Sequence, residues 1–429
     1  MGSRVTGRMT QAGTSRETAQ RVTECRSCGA ALPAPFLDLG STPVANRLLT
    51  SADQAEERYP LAVSHCPACA LVQLAYALPA EALFDEDYPY YSSVSDALVR
   101  HSREHVDELV LERGLSASSL VVELASNDGY LLKGFVDQHI PVLGVEPTSG
   151  PAAAARQVDV PTMQAFFGRS LAEQIVEGQG KADVVIANNV MAHVPELNDF
   201  VSGIANLLSD QGVATIENPS VVDLIEHSEF DTIYHEHFCY FSCTAVDALM
   251  RRHGLALFRI EHFPNLHGGT LRWWVAPTAA SIEPEGSVHE HLDRERRLGV
   301  PQADYYAGFG AAVRGLQGRL RDLLTLLKTS GKSIAGYGAA AKGATLLNSA
   351  GIGPELIDFV VDRSVHKQGK WLPGARLPIL PVEALLERRP SVALLLAWNF
   401  AAEIVEQQQA YRKGGGQFIV PVPEPRLIE

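Results

Sequence analysis

A chain of 429 residues, 46% hydrophobic and 20% charged, is long enough for two or three globular domains with real cores. Its net charge of −14 argues against a general nucleic-acid surface or an anionic membrane as partner. No apolar run reaches the length that spans a bilayer, and residues 1–23, rich in Gly, Ser, Thr and Arg, lack the apolar core of a secretory signal. Those 23 residues are expected to be a disordered leader, and the cytoplasm is the expected compartment.

Four of the six cysteines form two knuckles, Cys25-x-x-Cys28 and Cys66-x-x-Cys69. In a reducing compartment four such thiols suit a tetrahedral zinc better than disulfides. Four protein ligands leave no open position, so the zinc is expected to be structural. The zinc module is placed at 24–78; Pro33, Pro35, Pro43 and Pro60 limit it to loops and short strands, one of them at 71–74. The stretch that follows sets Tyr88, Tyr90 and Tyr91 around Pro89. It reads equally as a satellite core or as a lid presenting phenols to a substrate.

From residue 95 strands and helices alternate over the region 79–280. The helix expected over 95–113 leads into an aliphatic strand at 120–124. A loop of small residues follows, Ala125-Ser126-Asn127-Asp128-Gly129, and opens a helix. The next strand, 141–146, ends in Glu146-Pro147, where a carboxylate can hold both hydroxyls of a ribose. Helices at 151–157 and 170–177, the latter after Phe166-Phe167-Gly168, and at 197–208 flank strands at 182–187 and 213–219. This pattern predicts a doubly wound parallel sheet, whose ligands sit beyond the carboxyl ends of the strands. Glu123, Glu146, Asn188, Asn189, His193 and Glu217 all fall there. The loop carries only Gly129, not the three glycines of a dinucleotide fingerprint, so S-adenosylmethionine (SAM) fits better than NAD. Glu123 is then expected near the methionine end, Glu146 at the ribose, and Ala125 to Gly129, Pro147 and Phe167 around the remainder. An ordinary βα turn is the alternative.

The run Tyr234-His235-Glu236-His237-Phe238 sets groups that titrate near neutral pH among aromatics. It lacks the i, i+4 histidine pair of helical zinc sites, so general acid/base chemistry fits better than a catalytic zinc. A hairpin is expected from 257–260 and 270–275. Residues 281–330 read as a helical connector, with Phe309, Val313, Leu316, Leu320, Leu323 and Leu327 on one face. The region 331–429 opens with a strand entering Gly336-Tyr337-Gly338, then Lys342 in the first turn of a helix. This predicts a second Rossmann-like domain, either a relic or a site that sets the diphosphate of a nucleotide at a helix N-terminus. Asp362 and Trp398-Asn399 end its later strands.

Taken together, Glu123-x-x-Ser126-Asn127-Asp128-Gly129, Asn188-Asn189-Val190-x-Ala192-His193-Val194-Pro195, Tyr234-His235-Glu236-His237-Phe238, Gly336-Tyr337-Gly338-Ala339-Ala340-Ala341-Lys342-Gly343 and the paired knuckles carry a resemblance. The chain resembles the SAM-dependent sugar C-methyltransferases of antibiotic deoxysugar biosynthesis, which act on TDP-linked keto-deoxysugars. The likeness runs from Cys25 onward, with Ala125 where relatives usually have glycine and Ala344 where a polar residue is common. It implies that His237 is the base that generates an enolate, with Tyr234 and Glu236 orienting it or the substrate. His193 and Tyr88 would bind the keto sugar and the enolate oxygen. Tyr90, Glu217, Tyr337, Lys342, Asp362, Trp398 and Asn399 are the expected substrate contacts. C3 is the expected methylation site, with C5, a noncatalytic nucleotide-sugar-binding zinc protein and an NAD-dependent epimerase or dehydrogenase as the alternatives.

Overall fold

A computed structural model of the protein describes residues 19–79, 83, 91–266 and 268–428. The expected leader up to residue 18, and the positions of Tyr88 and Tyr90, lie outside the described residues. Residues 19–23 depart from the leader reading. Strand β1 (Gln20–Arg21) pairs antiparallel with β5 (Tyr76–Ala77), and the Val22 amide donates to Ala75 O at 2.9 Å. Between them β2 (Leu37–Thr42), β3 (Tyr59–His65) and β4 (Val72–Leu74) form an antiparallel sheet.

The two knuckles have the same backbone. The Gly29 and Ala70 amides donate to Cys25 O and Cys66 O, each at 2.8 Å, and both residues adopt positive φ, +74° and +61°. A tetrahedral zinc with Zn–S bonds of about 2.3 Å sets its sulfurs about 3.8 Å apart. Cys25 Sγ lies 3.5 Å from Cys69 Sγ, Cys28 Sγ lies 3.6 Å from Cys66 Sγ, and all four lie within 4.8 Å of one another. The donor set fits a closed, structural zinc site.

The central sheet has seven strands in the order β12-β13-β10-β9-β6-β7-β8. Its parallel part comprises β6 (Val121–Leu124), β7 (Val142–Val145), β8 (Thr162–Met163), β9 (Ala182–Asn188) and β10 (Leu208–Pro219). All four residues of β6 are buried, as expected of a strand with helices on both faces. Between β10 and the closing hairpin comes β11 (Cys239–Tyr240), which leaves this sheet and joins β4. The hairpin itself is β12 (Leu255–Phe263) with β13 (Thr270–Pro277), antiparallel to β10. The helix Asp96–Arg113 starts on Ser95, whose side chain accepts from the Leu98 amide, and stops at Gly114 with φ +60°.

Two helices, Gly286–Leu298 and Phe309–Thr329, lead to the third sheet. The second buries Phe309, Val313, Leu316, Leu320 and Leu324. Leu324 is the most buried residue of the last turns, with Leu323 and Leu327 half-buried against the same core on either side of it. The third sheet has the order β16-β15-β14-β17-β18-β19. It contains β14 (Ile334–Tyr337), β15 (Phe359–Val361), β16 (Ile379–Leu380), β17 (Val392–Leu395), β18 (Gln417–Val420) and β19 (Arg426–Ile428), all parallel except β19. Among the described residues no helix is long and apolar enough to cross a membrane.

The zinc module touches both larger parts. Leu49 and Trp371 exchange backbone hydrogen bonds at 2.8 and 2.9 Å, and Arg376 pairs with Glu56 at 3.3 Å. On the other side Asn198 donates to Arg26 O at 2.8 Å and Arg26 donates to Pro195 O at 2.7 Å. Cys66→Ser, or stripping the metal with a chelator, is expected to lower the melting temperature by several degrees or more and to remove bound zinc, since metal binding is folding energy in such modules. Melting curves with metal analysis check this; an unchanged melting temperature in a metal-free protein would refute a structural role.

Candidate active site

The loop after β6 is shaped by backbone conformation. Ala125 (φ +56°), Asn127 (φ +50°) and Gly129 (φ +78°) are all left-handed. That conformation explains a glycine preference at position 125, since Ala there costs roughly 1–2 kcal/mol. A Cβ on Gly129 would come within 3.1–3.2 Å of Val160 and Ala155, so the loop is also sterically tight. Glu146 Oε2 accepts from the Asn127 amide at 3.0 Å and Oε1 from the Thr148 amide at 2.9 Å, with the Thr148 hydroxyl added. The loop is pinned from outside as well: Asn127 Oδ1 accepts from Ser92 N at 2.9 Å and Asp128 Oδ2 from Ser93 N at 3.2 Å.

This loop forms one end of a cavity of about 680 Å³, within the range of small-molecule sites. Of the expected cofactor residues, Ala125, Asn127, Glu146, Pro147, Phe167, Asn188 and Asn189 line it. Glu123, Ser126, Asp128 and Gly129 support the loop from beneath. Glu123 Oε2, Ser126 Oγ and Asn188 Oδ1 are buried without a hydrogen-bond partner among the described residues. Buried polar atoms are normally satisfied, so the unpartnered Asn188 Oδ1 on the cavity wall fits a polar ligand such as SAM. Burial, with the charges of Asp128 and Glu146 nearby, drives the Glu123 carboxyl well above the carboxylate range. A protonated Glu123 is a hydrogen-bond donor as well as an acceptor.

The other end of the cavity holds the segment after Phe230. His237 donates from Nδ1 to Thr232 O at 2.9 Å, and Tyr234 Oη donates to His237 Nε2 at 2.8 Å. His193 stands edge-on to His237 with ring centroids 4.6 Å apart, and burial lowers its pKa to about 4, so it is neutral at pH 7. His237, Tyr234, His193 and Thr232 all line the cavity. Glu236 turns the other way and accepts from Asn46 Nδ2 at 2.6 Å; Asn46, from the zinc module, lines the cavity in its place. His235, between them, is buried beside Tyr59 of the zinc module and its pKa falls to about 4 for the same reason. The three polar residues of the run therefore face different surroundings.

The substrate set divides. Lys342 and Asn399 line the cavity. Lys342 Nζ lies 4.7 Å over the Trp398 ring, and Trp398 Nε1 donates to Asp231 Oδ2 at 2.6 Å. Burial pushes Asp231 up to about 6 against the pull of Lys342 and Trp398, and lifts Glu229 to about 8; burial lowers Lys342, opposed by those two carboxyls. Trp398 is thus a support for Lys342. Tyr337 and Asp362 do not line the cavity. Tyr337 Oη accepts from Gln408 Nε2 at 3.3 Å, while Asp362 accepts from Ala339 N and Ser364 N, each at 2.7 Å, and so fixes the glycine loop.

Glu217 is a correction. Its carboxylate points away from the cavity to Arg272 Nη2 at 2.6 Å and His101 Nε2 at 2.9 Å. Counting to the end of β10 located the position but not the face: side chains alternate, Asn218 lines the cavity, and Glu217 lies across from its register partner Arg272 on β13. Besides Asn218, the reading of the sequence missed Asn46, Thr232 and Lys367, which also line the cavity. Period-two alternation would have found Asn218; the others arrive from distant loops.

Comparison with known proteins agrees with this architecture. Residues 25–84 match the family model described as "Putative zinc binding domain", 98–260 "Methyltransferase domain" and 265–423 "C-methyltransferase C-terminal domain". The chain is 37% identical over 415 residues to C-methyltransferase NovU of Streptomyces niveus, covering 96% of this chain and 98% of that one. Similar solved structures include magnesium protoporphyrin IX methyltransferase from Synechocystis with bound SAM, at 17% identity over 42% of this chain and 81% of that one, with a TM-score of 0.32. A SAM-dependent methyltransferase from Anabaena variabilis matches at 14% identity over 41% and 84%, also with a TM-score of 0.32.

Two outcomes follow for stability. Ala125→Gly is expected to stabilise the protein by roughly 1 kcal/mol through relief of the left-handed strain, read as a higher urea midpoint at unchanged slope. For Glu217, burial raises the carboxyl, but the His101 hydrogen bond and the Arg272 charge outweigh it and bring the pKa down to about 2. A depressed carboxylate pKa contributes stability that is complete above the unfolded value of about 4.3 and is lost as pH falls toward 2. Glu217→Gln should cost about 3–5 kcal/mol at pH 7, with the difference from wild type shrinking between pH 4 and 2. Denaturation midpoints across that range check it; a constant difference would assign the loss to another cause.

Proposed function

Since this chain belongs to the C-methyltransferase family, and methylates with SAM, we propose that its substrate is a TDP-linked keto-deoxysugar methylated on carbon, at C3, by way of an enolate. The observation that carries this reading is the tautomer of His237. With Nδ1–H given to Thr232 O, the lone pair is on Nε2, inside the cavity that also holds the SAM loop. SAM, when bound, supplies an electrophilic methyl group on a sulfonium.

A ketone acidifies the adjacent C–H, and a neutral imidazole is a competent base for it near pH 7. His237 Nε2 takes that proton. Tyr234, whose phenol bonds Nε2, holds the ring until the sugar enters and then faces the reacting carbon. His193, kept neutral by burial, offers a hydrogen bond without placing a second positive charge beside the imidazolium that forms. Glu236 acts through Asn46, fixing a side chain from the zinc module at the cavity wall. The reducing cytoplasm, where the four thiols stay available to zinc, is the matching compartment.

His237→Asn should lower turnover by roughly 10²–10⁴, the usual size of general base catalysis, with SAM affinity unchanged. The test is mass spectrometry of products from SAM and a TDP-keto-deoxysugar in deuterated buffer, with SAM binding measured by calorimetry. Methylation on C5 would move the position and keep the chemistry. Full turnover by the variant would remove His237 as the base, and neither exchange nor methylation by wild-type protein would remove the keto-sugar reading.

A further inference from the structure

Enolisation in this cavity leaves a negative charge on oxygen in a largely desolvated place, and a charge there is costly unless a fixed partner meets it. Among the described residues the cavity is lined by two cations, Lys342 and Lys367. Lys367 Nζ donates to Ala339 O at 2.9 Å and stays on the glycine loop of the third sheet. Lys342 belongs to the other side. It is the second residue of the helix Ala341–Ala350, and Tyr234 packs on Ala341 and Ala344 of that helix. Its ammonium sits over Trp398, and the carboxyl groups that face it, Asp231 and Glu229, come from the segment that carries the base.

Asp231 connects the two roles. Its carboxylate accepts from Trp398 Nε1, and the carbonyl of the next residue, Thr232, receives the His237 Nδ1 proton. Base and cation are thus fixed by adjacent residues of one short 3₁₀ turn, Phe230–Thr232. An ammonium held over an indole that is itself bonded to the Asp231 carboxyl is preorganised, so it loses little orientation energy when charge develops.

We propose that Lys342 is a catalytic residue: its ammonium donates to the carbonyl oxygen of the keto sugar and stabilises the enolate that His237 generates. The proposal rests on the enolate reading above. The C–H proton goes to His237 Nε2, the C–H electron pair forms the C=C bond, and the carbonyl π pair moves onto oxygen. When the carbon takes the methyl group, the S–CH₃ pair stays on sulfur and C=O re-forms. Lys342 keeps its proton throughout. This differs from the role that the sequence suggests for the same lysine, a grip on the diphosphate.

The two roles separate by measurement. Solvent-deuterium exchange into a TDP-keto-deoxysugar, in the presence of S-adenosylhomocysteine, reads enolisation without methyl transfer. In Lys342→Met, exchange and kcat should both fall about 10²–10³-fold, as on removal of one oxyanion donor, with the Kd values for TDP and SAM unchanged. A retained exchange rate with weakened TDP binding would return Lys342 to the diphosphate. Because Lys342→Met strands the Asp231 carboxylate, the double variant Lys342→Met/Asp231→Asn is measured beside it; full exchange by that folded double variant would also overturn the proposal. No exchange by wild-type protein would instead overturn the keto-sugar reading itself.

Discussion

Two residue pairs, Cys239 opposite Gln73 and Tyr240 opposite Val72, tie the catalytic segment to the zinc module. The chain leaves the central sheet after β10, passes through Tyr234 and His237, and then adds β11 to the edge of a sheet that the zinc knuckles close. The Leu74 amide extends the junction by donating to Phe238 O at 3.0 Å, and the Phe238 amide donates to Ala192 O at 2.7 Å. A loop with its own ends free would sample many conformations. This one is held at residue 230 by its 3₁₀ turn and at residue 239 by a ladder, so the histidine between them has a defined tautomer. The metal site and the cavity are thereby joined through one short ladder, with His237 at its end. That is a physical reason for a closed zinc site beside this cavity.

The cavity imposes a second constraint, the cost of charge. Burial keeps His193 neutral and drives Glu123 well above the carboxylate range, so both offer hydrogen bonds rather than full charges. Where full charges are buried they meet an opposite charge: Glu217 pairs with Arg272 under the sheet, and Asp231 lies in the field of Lys342 at the cavity wall. The first pair is remote from the ligands and serves to hold β10 against β13. The second opens onto them.

Much of this was legible in the residues. Aliphatic runs and small-residue loops placed β6, β7 and β9 and the SAM loop, because a buried strand and a tight turn constrain composition strongly. The Cys-x-x-Cys pairs announced a metal before any geometry. What escaped was orientation and meeting. Glu217 and Asn218 are neighbours in sequence but lie on opposite faces, and Glu236 differs from His237 in the same way. Asn46 and Lys367 reach the cavity from loops far in sequence from His237, and no local pattern encodes that. In the connector Leu324 joins Leu323 and Leu327 on the buried face, because three-four spacing only approximates the helical period.

The third sheet is the part that periodicity alone left ambiguous, relic or ligand site. Its glycine loop is tight for packing reasons: Gly338 has φ +92°, and a Cβ there would sit 2.7 Å from Ala397 Cβ. Asp362 already takes the Ala339 amide, so at least that donor of the loop is used to build the turn. What the sheet presents to the cavity is instead a set of side chains after its strands, Lys342 and Asn399, with Trp398 behind them. Since Trp398 also donates to Asp231, the sheet is bonded to the segment that carries the base. A domain that only stored a nucleotide would not need that bond. A domain that supplies the far wall of the cavity does, because His237 on one side and Lys342 on the other can meet one ligand only while their separation is held.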